Sequence, residues 1–505
     1  MLDHLPALQI ILPMLFAPIC VMFRHGKIAW LITVIVSGLC LINGIALLQH
    51  VQDGSVIRYA LGGWAAPTGI EYFIDLSNTL IIILISAISL LAAVYSKESL
   101  IKDISEEKHY LFYAGWLLCL TGMIGILVTC DAFNVFVFLE ISSLSTYMLI
   151  ALGKERPHSY IAAFRYLIMG SVGASFILLG IGFLYAATGT LNMHDLAERL
   201  PLVAESRTVI VGFSFITIGV LIKAAIFPLH SWLPSAYQYA PSAVACFLAG
   251  TATKVSLYVL IRFFFHIFGT DFSFGQMLLG YVLLPAAIIG FVVMSIVAVF
   301  QNDLRRLLAF SSIAQIGYIL TGICILSLTG LSAALMHIIN HGVIKSALFM
   351  ATGSILYAVG TSKLNSMPQL VGKMPLTISA FIVAGISLIG VPLTAGFVSK
   401  WNLIQASLEH GWWPIVILIL FSSLMAILYI GKVILITCFN QNSTNEATDK
   451  TINRTNNSTT ISEVPFTMTL ATWVLISISI YLGINAEDFV GITQSAANQL
   501  MQGIR

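Results

Sequence analysis

Long apolar runs separated by short polar segments dominate the chain, and the length of each run predicts its structure. A helix needs about 20 mostly apolar residues to cross the hydrocarbon of a bilayer. Runs of that kind lie near 6–23, 28–48, 76–96, 110–129, 132–152, 160–187, 208–227, 242–268, 275–299, 306–326, 329–358, 376–391, 412–438 and 466–484. They predict an all-α integral membrane protein with about fourteen transmembrane helices. Two short pieces, near 230–239 and 396–409, read as the second halves of interrupted helices. The breaks fall at Pro228 and Pro392, because proline removes a backbone donor and frees a carbonyl. The stretch 50–73, with Tyr59, Gly62, Gly63, Trp64, Pro67 and Gly69, reads as a turn-rich external hairpin.

The pattern repeats internally. Leu184-Tyr185-Ala186, Leu191-Asn192 and Leu196 recur as Leu356-Tyr357-Ala358, Leu364-Asn365 and Leu370, roughly 172 positions later. Phe227-Pro228-Leu229 likewise faces Val391-Pro392-Leu393. Five predicted helices fit in one period, and an odd number turns the second copy upside down, an inverted-repeat architecture. The expected organisation is helices 1–3 with the hairpin in 1–109, a first repeat in 110–268, a second in 269–438, and a polar loop with a last helix in 439–505.

Composition makes the solvent lipid: hydrophobic residues are 58% of 505 and charged ones 9%, where soluble domains carry about 25% charged. A net charge of +2 gives no basis for nucleic-acid binding. The seven cysteines (Cys20, Cys40, Cys119, Cys130, Cys246, Cys324, Cys438) are scattered through apolar sequence with no CxxC, so neither a disulfide framework nor a thiolate metal site is expected. Met1 to Pro6 lacks a basic signal-peptide start, so the first run is expected to persist as a helix. There is no GxGxxG, Walker A or HExxH pattern, and no cofactor is expected. Lys and Arg concentrate in alternate loops (Arg24, Lys27, Lys102, Lys154, Arg305, Lys363 among them), with only Arg58, Arg199 and Arg207 opposite. By the positive-inside rule both termini are expected outside a cell's inner (plasma) membrane. The Asn/Thr-rich stretch 440–462 reads as a cytoplasmic loop whose sequons at Asn442, Asn453, Asn456 and Asn457 would stay unglycosylated.

Against this apolar background a few ionisable residues need explanation, because each costs several kcal/mol at mid-membrane unless paired or hydrated (about 2.5–3.5 by insertion scales). Glu140 sits within Phe136-Val137-Phe138-Leu139 and Ile141. Burial favours its neutral form and a nearby ammonium its charged form, a balance suited to proton exchange. Lys223 lies five residues before Pro228, near backbone groups that a break would free. Lys254 follows Gly250-Thr251-Ala252-Thr253, small residues that leave room for water. His337, His341 and Lys345 fall at i, i+4 and i+8, on one helix face beside Asn340. An HxxxH pair can bind zinc, but no third ligand is evident nearby, and a proton relay suits histidine better. Lys400 opens the half-helix after Pro392, Thr394 and Gly396. Three residues are secondary. Lys432 reads equally as a snorkelling lysine, Arg165 is expected to pair near a helix start, and His230, with Trp232, either lines a water path or packs.

The segments FNVFVFLEISSLSTYMLIALG (133–153), LIKAAIFPLHSWLPSAYQYAPSAVACFLAGTATKVSLYVLIR (221–262), MHIINHGVIKSALFMATG (336–353) and GVPLTAGFVSKW (390–401) resemble the antiporter-like subunits of respiratory complex I, membrane-bound hydrogenases and Mrp-type cation/proton antiporters. The likeness runs over most of the chain. It implies fourteen helices, two inverted five-helix repeats, broken helices seven and twelve, and a polar axis in the membrane plane. Glu140 resembles the glutamate of helix five and Lys223 its partner lysine. Lys254 matches the central lysine of helix eight, and Lys400 the terminal lysine of helix twelve. EISSLS and YAPSAV look most like the D-type subunit of the Mrp antiporter, whereas lysine at 400 departs from the M-type subunit of complex I, which carries glutamate there. Ser235 departs from the aspartate usual after WLP. The resemblance implies a proton-translocating subunit moving protons, and Na+ in exchange, within a complex of other hydrophobic subunits. The alternative is a proton-pumping subunit of complex I or a hydrogenase, with every redox centre on other chains.

Overall fold

The computed structural model describes residues 4–154, 156–367, 369–439 and 461–502. The four sequons of the polar loop therefore lie outside the described residues. Helices α1 (Leu5–Phe23), α2 (Gly26–Val51) and α3 (Leu76–Asp103) open the chain, with a hairpin of β1 (Ile57–Ala60) and β2 (Glu71–Ile74) between the last two. The strands pair antiparallel from Ile57 opposite Ile74 to Ala60 opposite Glu71. Then follow α4 (His109–Val128), α5 (Ala132–Ala151), α6 (Arg156–Thr188), the short α7 (Met193–Arg199), α8 (Arg207–Lys223), α9 (Leu233–Tyr239) and α10 (Ser242–Ile261). The rest comprises α11 (Gly280–Val299), α12 (Leu304–Cys324), α13 (Leu328–Val359), α14 (Pro375–Ile389), α15 (Ala395–Glu409), α16 (Trp413–Phe439), α17 (Phe466–Ile484) and α18 (Ala486–Gln502). Twelve of the described helices are long and apolar enough to cross a membrane. With only one small hairpin of strand among the described residues, this is an all-α multi-pass membrane protein.

Polar residues outside the apolar runs start and stop the helices. Asp75 caps α3 by accepting from the Asn78 amide at 2.7 Å, while Asn78 accepts from the Asp75 amide in return, so two orphan donors are satisfied reciprocally. Asp131 caps α5 and Asp303 caps α12 by accepting from the amides of Asn134 and Arg306. Around these two caps one backbone device occurs twice. Ala132 donates to Leu191 and Met193 to Cys130; Leu304 donates to Ser362 and Leu364 to Asn302. The first copy lies on the hairpin face, where Tyr72 bridges Thr129. The second lies on the opposite face, where Arg305 bonds Ser242, whose amide is held by Asp103 at the far end of α3. So α5 and α12 start on opposite faces.

Two helices are interrupted. The first, α8, stops at Lys223; Ala225 turns to a φ of 54° and the chain runs unwound through Pro228 before α9. At the second, α14 stops at Ile389, Gly390 takes a φ of 94°, and α15 begins after Thr394. The orphan carbonyls at each break need partners. Trp232 supplies one for Ile222 at 3.0 Å, and Lys400 supplies those for Leu388 and Ile389 at 3.0 and 2.9 Å.

Large side chains such as Met22, Ile42, Phe164, Val282, Ile417 and Leu435 are exposed on the peripheral helices, where lipid would cover them. By contrast α10, α12 and α13 are buried nearly all round. At the crossing of α10 and α13 the backbones touch: a Cβ on Gly250 would sit 3.2 Å from the Gly342 carbonyl, and one on Gly342 would sit 3.0 Å from the Gly250 carbonyl. Only glycine permits this approach. It brings Lys254, one turn beyond Gly250, toward His341 and Lys345, which flank Gly342.

Candidate functional site: a buried row of ionisable side chains

The row begins between α5 and α8. Lys223 Nζ lies 3.4 Å from Glu140 Oε1 and donates to Ser143 Oγ at 2.8 Å. The lysine side chain is 4% exposed and the glutamate 26%, so the pair opens outward only on the carboxylate side. Behind Lys223 is a small cavity of ≈ 20 Å³, lined by Ser142, Ser143, Thr146, Lys223, Ala252 and Ser256 among others. That is room for about one water, whose share of cavity space is at least about 10–15 Å³ by this measure. Its hydroxyl lining leads from Lys223 to α10.

On α10, Lys254 is fully buried; it donates to the Ala249 carbonyl and to Thr253 Oγ1 at 3.4 Å. The close approach of Gly250 and Gly342 sets its helix against the α13 segment that carries His337, His341 and Lys345. Lys345 donates to the Leu308 carbonyl at 3.0 Å and to Ser311 Oγ. His341 is buried with neither ring nitrogen bonded to protein among the described residues, and its ring stacks on that of His337 at 6.2 Å. His337 is bonded at both nitrogens, Nε2 to Gln315 Oε1 and Nδ1 to Ser399 Oγ, each at 2.9 Å. If Nε2–H donates to the amide oxygen, Nδ1 is left to accept from Ser399. Ser399 adjoins Lys400, whose ammonium reaches Ser423 at 3.3 Å and sits 5.2 Å above the Tyr318 ring. Tyr318 in turn packs edge-on against His337.

Among the described residues Glu140 is the only carboxylate in salt-bridge range of a row lysine. Lys254, Lys345 and Lys400 have neutral acceptors instead. A buried ammonium without a counterion is costly, of order several kcal/mol after relaxation, and like charges along such a row repel one another. Such a row can pass a proton stepwise and can transmit charge along its length.

The secondary residues fall outside it. Lys432 caps the end of α11 through the carbonyls of Val299 and Gln301 at 3.2 and 3.0 Å. Arg165 is exposed, well inside α6 rather than near its start, and has no ion pair among the described residues. His230 stacks on Phe227 at 5.4 Å, with Nδ1 buried and unbonded. Trp232 stacks on Tyr166 at 4.0 Å. The sequence did not single out Ser143, Ser311, Gln315, Tyr318 or Ser399, because single hydroxyl and amide residues in apolar helices are common and only the fold aims them at the row.

Fold and row together define a class: an all-α multi-pass membrane protein threaded by ionisable side chains at its centre. The chain belongs to the NADH:quinone oxidoreductase/Mrp antiporter transmembrane family, whose model matches residues 129–426. It is 40% identical over 444 residues to the N-type subunit of NADH-quinone oxidoreductase from Desulforudis audaxviator, covering 86% of each chain. It is 30% identical over 428 residues to the D-type subunit of the Na(+)/H(+) antiporter from Bacillus subtilis, covering 84% of this chain and 85% of the relative. A chain in the membrane-bound sulfane sulfur reductase, an archaeal respiratory membrane complex, superposes with a TM-score of 0.87 at 28% identity, covering 99% of this chain and 97% of that one. Of these two relatives the N-type subunit is the more similar in sequence.

Proposed function

We propose that this chain is the proton-translocating membrane subunit of a multisubunit monovalent cation (Na+)/proton antiporter. The observation that carries the reading is the file from Glu140 and Lys223 through Lys254, His341, Lys345 and His337 to Lys400, in which each member has a polar neighbour or a charged one within reach. In this scheme, separation of Lys223 from Glu140 releases a proton from Lys223 into the hydroxyl-lined cavity. Lys254 receives it, the histidine helix relays it, and Lys400 exchanges it with one side of the membrane. Protonation at one end repels charge at the next, which couples this subunit to cation movement elsewhere in the complex. The two antiparallel copies of the helix-start device, at Asp131 and Asp303, support a reading of 110–268 and 269–438 as inverted five-helix units. The cluster of Lys102, Lys154 and Arg305 around one cleft supports a cytoplasmic face there, with both termini outside the plasma membrane. Other hydrophobic subunits of the complex would cover the remaining lipid-facing helices.

A second reading, a proton-pumping subunit of a redox-driven complex, is favoured by the 40% identity to an N-type subunit. The test is purification with native partners followed by reconstitution. Na+-driven proton movement in vesicles, lost in Lys223→Ala while assembly survives, supports the antiporter. Unchanged exchange in that variant rejects the row, and co-purifying iron–sulfur subunits with no Na+ dependence reject the antiporter.

A further inference from the structure

Outside the membrane-spanning row, on the hairpin face, three metal-ligating side chains converge from distant parts of the chain. Glu71 is on β2, Cys130 precedes α5, and His194 is in the first turn of α7. His194 Nδ1 lies 3.1 Å from Glu71 Oε2 and 3.2 Å from Cys130 Sγ, and the three ligand atoms all fall within 4.8 Å of one another. Tetrahedral coordination with metal–ligand bonds of about 2.0–2.3 Å spaces its ligand atoms by roughly 3.3–3.7 Å, close to the two separations that His194 makes.

Backbone hydrogen bonds build the arrangement in advance. Cys130 donates to the Glu71 carbonyl at 2.8 Å, and Met193 donates to the Cys130 carbonyl at 2.8 Å, so each ligand's segment is tied to the next. Asn192 Nδ2 donates to Glu71 Oε2 at 3.2 Å and orients the carboxylate from outside the site. The buried guanidinium of Arg262 donates to the Thr129 carbonyl and lies beside Cys130.

We propose that Glu71, Cys130 and His194 form a three-ligand site for a divalent transition metal of the zinc type, with the fourth position left to a non-protein ligand such as water. One sulfur, one imidazole nitrogen and one carboxylate oxygen suit zinc and its cobalt analogue rather than calcium or magnesium. The ion would staple the hairpin to the starts of α5 and α7. Helix α5 carries Glu140, so a metal here would stiffen the segment that enters the ion-pair helix from outside.

The experiment uses the untagged protein in its native complex, titrated with Co2+. One ion per chain is expected, with ligand-field bands in the visible and a thiolate-to-cobalt charge-transfer band in the near ultraviolet, both displaced by Zn2+. Cys130→Ser should remove the charge-transfer band. If that variant fails to assemble, Glu71→Gln keeps the shape and should weaken Co2+ binding more than tenfold, since even outer-shell changes cost about 10–100-fold. Thermal unfolding should shift upward with saturating Zn2+ in the wild type alone. Absence of the bands, their persistence in Cys130→Ser, or equal affinity in Glu71→Gln would overturn the proposal.

Discussion

Replacement of Glu140 by glutamine tests the ion pair while keeping its shape. The carboxylate oxygen is 3.4 Å from Lys223 Nζ. At an effective dielectric of about 20, two unit charges at that distance attract by about 5 kcal/mol. Glu140 is 26% exposed, so water screens part of this; a value of roughly 2–3 kcal/mol lies between the ~1 kcal/mol of exposed pairs and the ~3–5 kcal/mol lost on breaking buried ones. If opening and closing of the pair controls proton release from Lys223, that energy corresponds to a flux reduction of roughly 30- to 150-fold, at tenfold per 1.4 kcal/mol. Glutamine retains an acceptor for Lys223, and Ser143 still accepts from it, so the bundle should assemble normally. The assay is dye-reported acidification in inverted membrane vesicles, normalised to the amount of assembled complex. A Glu140→Gln protein whose flux stays within twofold of wild type would rule out control of proton release by the Glu140–Lys223 pair.

Three further outcomes follow from the geometry. Ser399→Ala leaves His337 Nδ1 without its partner, at a cost of about 1–3 kcal/mol for a buried group, and should lower flux several-fold while Lys400 keeps its carbonyl contacts; the same vesicle assay measures it. Gly396→Ala would drive a Cβ into the Ser387 carbonyl, a backbone clash costing at least about 1–3 kcal/mol, and thermal unfolding or membrane yield should fall accordingly. Lys432→Ala should leave flux within twofold of wild type, because that lysine caps α11 and stands apart from the row; a large loss would extend the row to α16.

Hydrophobic periodicity and run length made the membrane class and most helix positions legible, since lipid imposes one apolar length on every crossing. The breaks were legible because proline and small residues interrupt otherwise continuous runs at Pro228 and Pro392. Glu140 and the lysines were legible because charge in such sequence is costly enough to be conspicuous. What could not be read was relational. The helix Ala486–Gln502 is too polar to resemble a crossing and lies against the bundle with its apolar side. Met193–Arg199 is too short to show periodicity. Helix 275–299 begins later than its apolar run suggests, at Gly280, because π-type turns at Arg262–Ile267 and Asp271–Gln276 take up the preceding sequence. Arg305, read as a loop charge, is buried and bonds the carbonyls of Gln238 and Ala240. Glu71, Cys130 and His194 are far apart in sequence and meet only through backbone bridges, so no local spacing could announce them.

Proton transfer from one half of the chain to the other is proposed to pass through Lys254. Reconstituted complex carrying Lys254→Met, which keeps the length and bulk of the side chain but removes its nitrogen, measures this directly. The variant should assemble at wild-type levels with proton flux reduced to the background of empty vesicles. Flux at half the wild-type rate or more would contradict it.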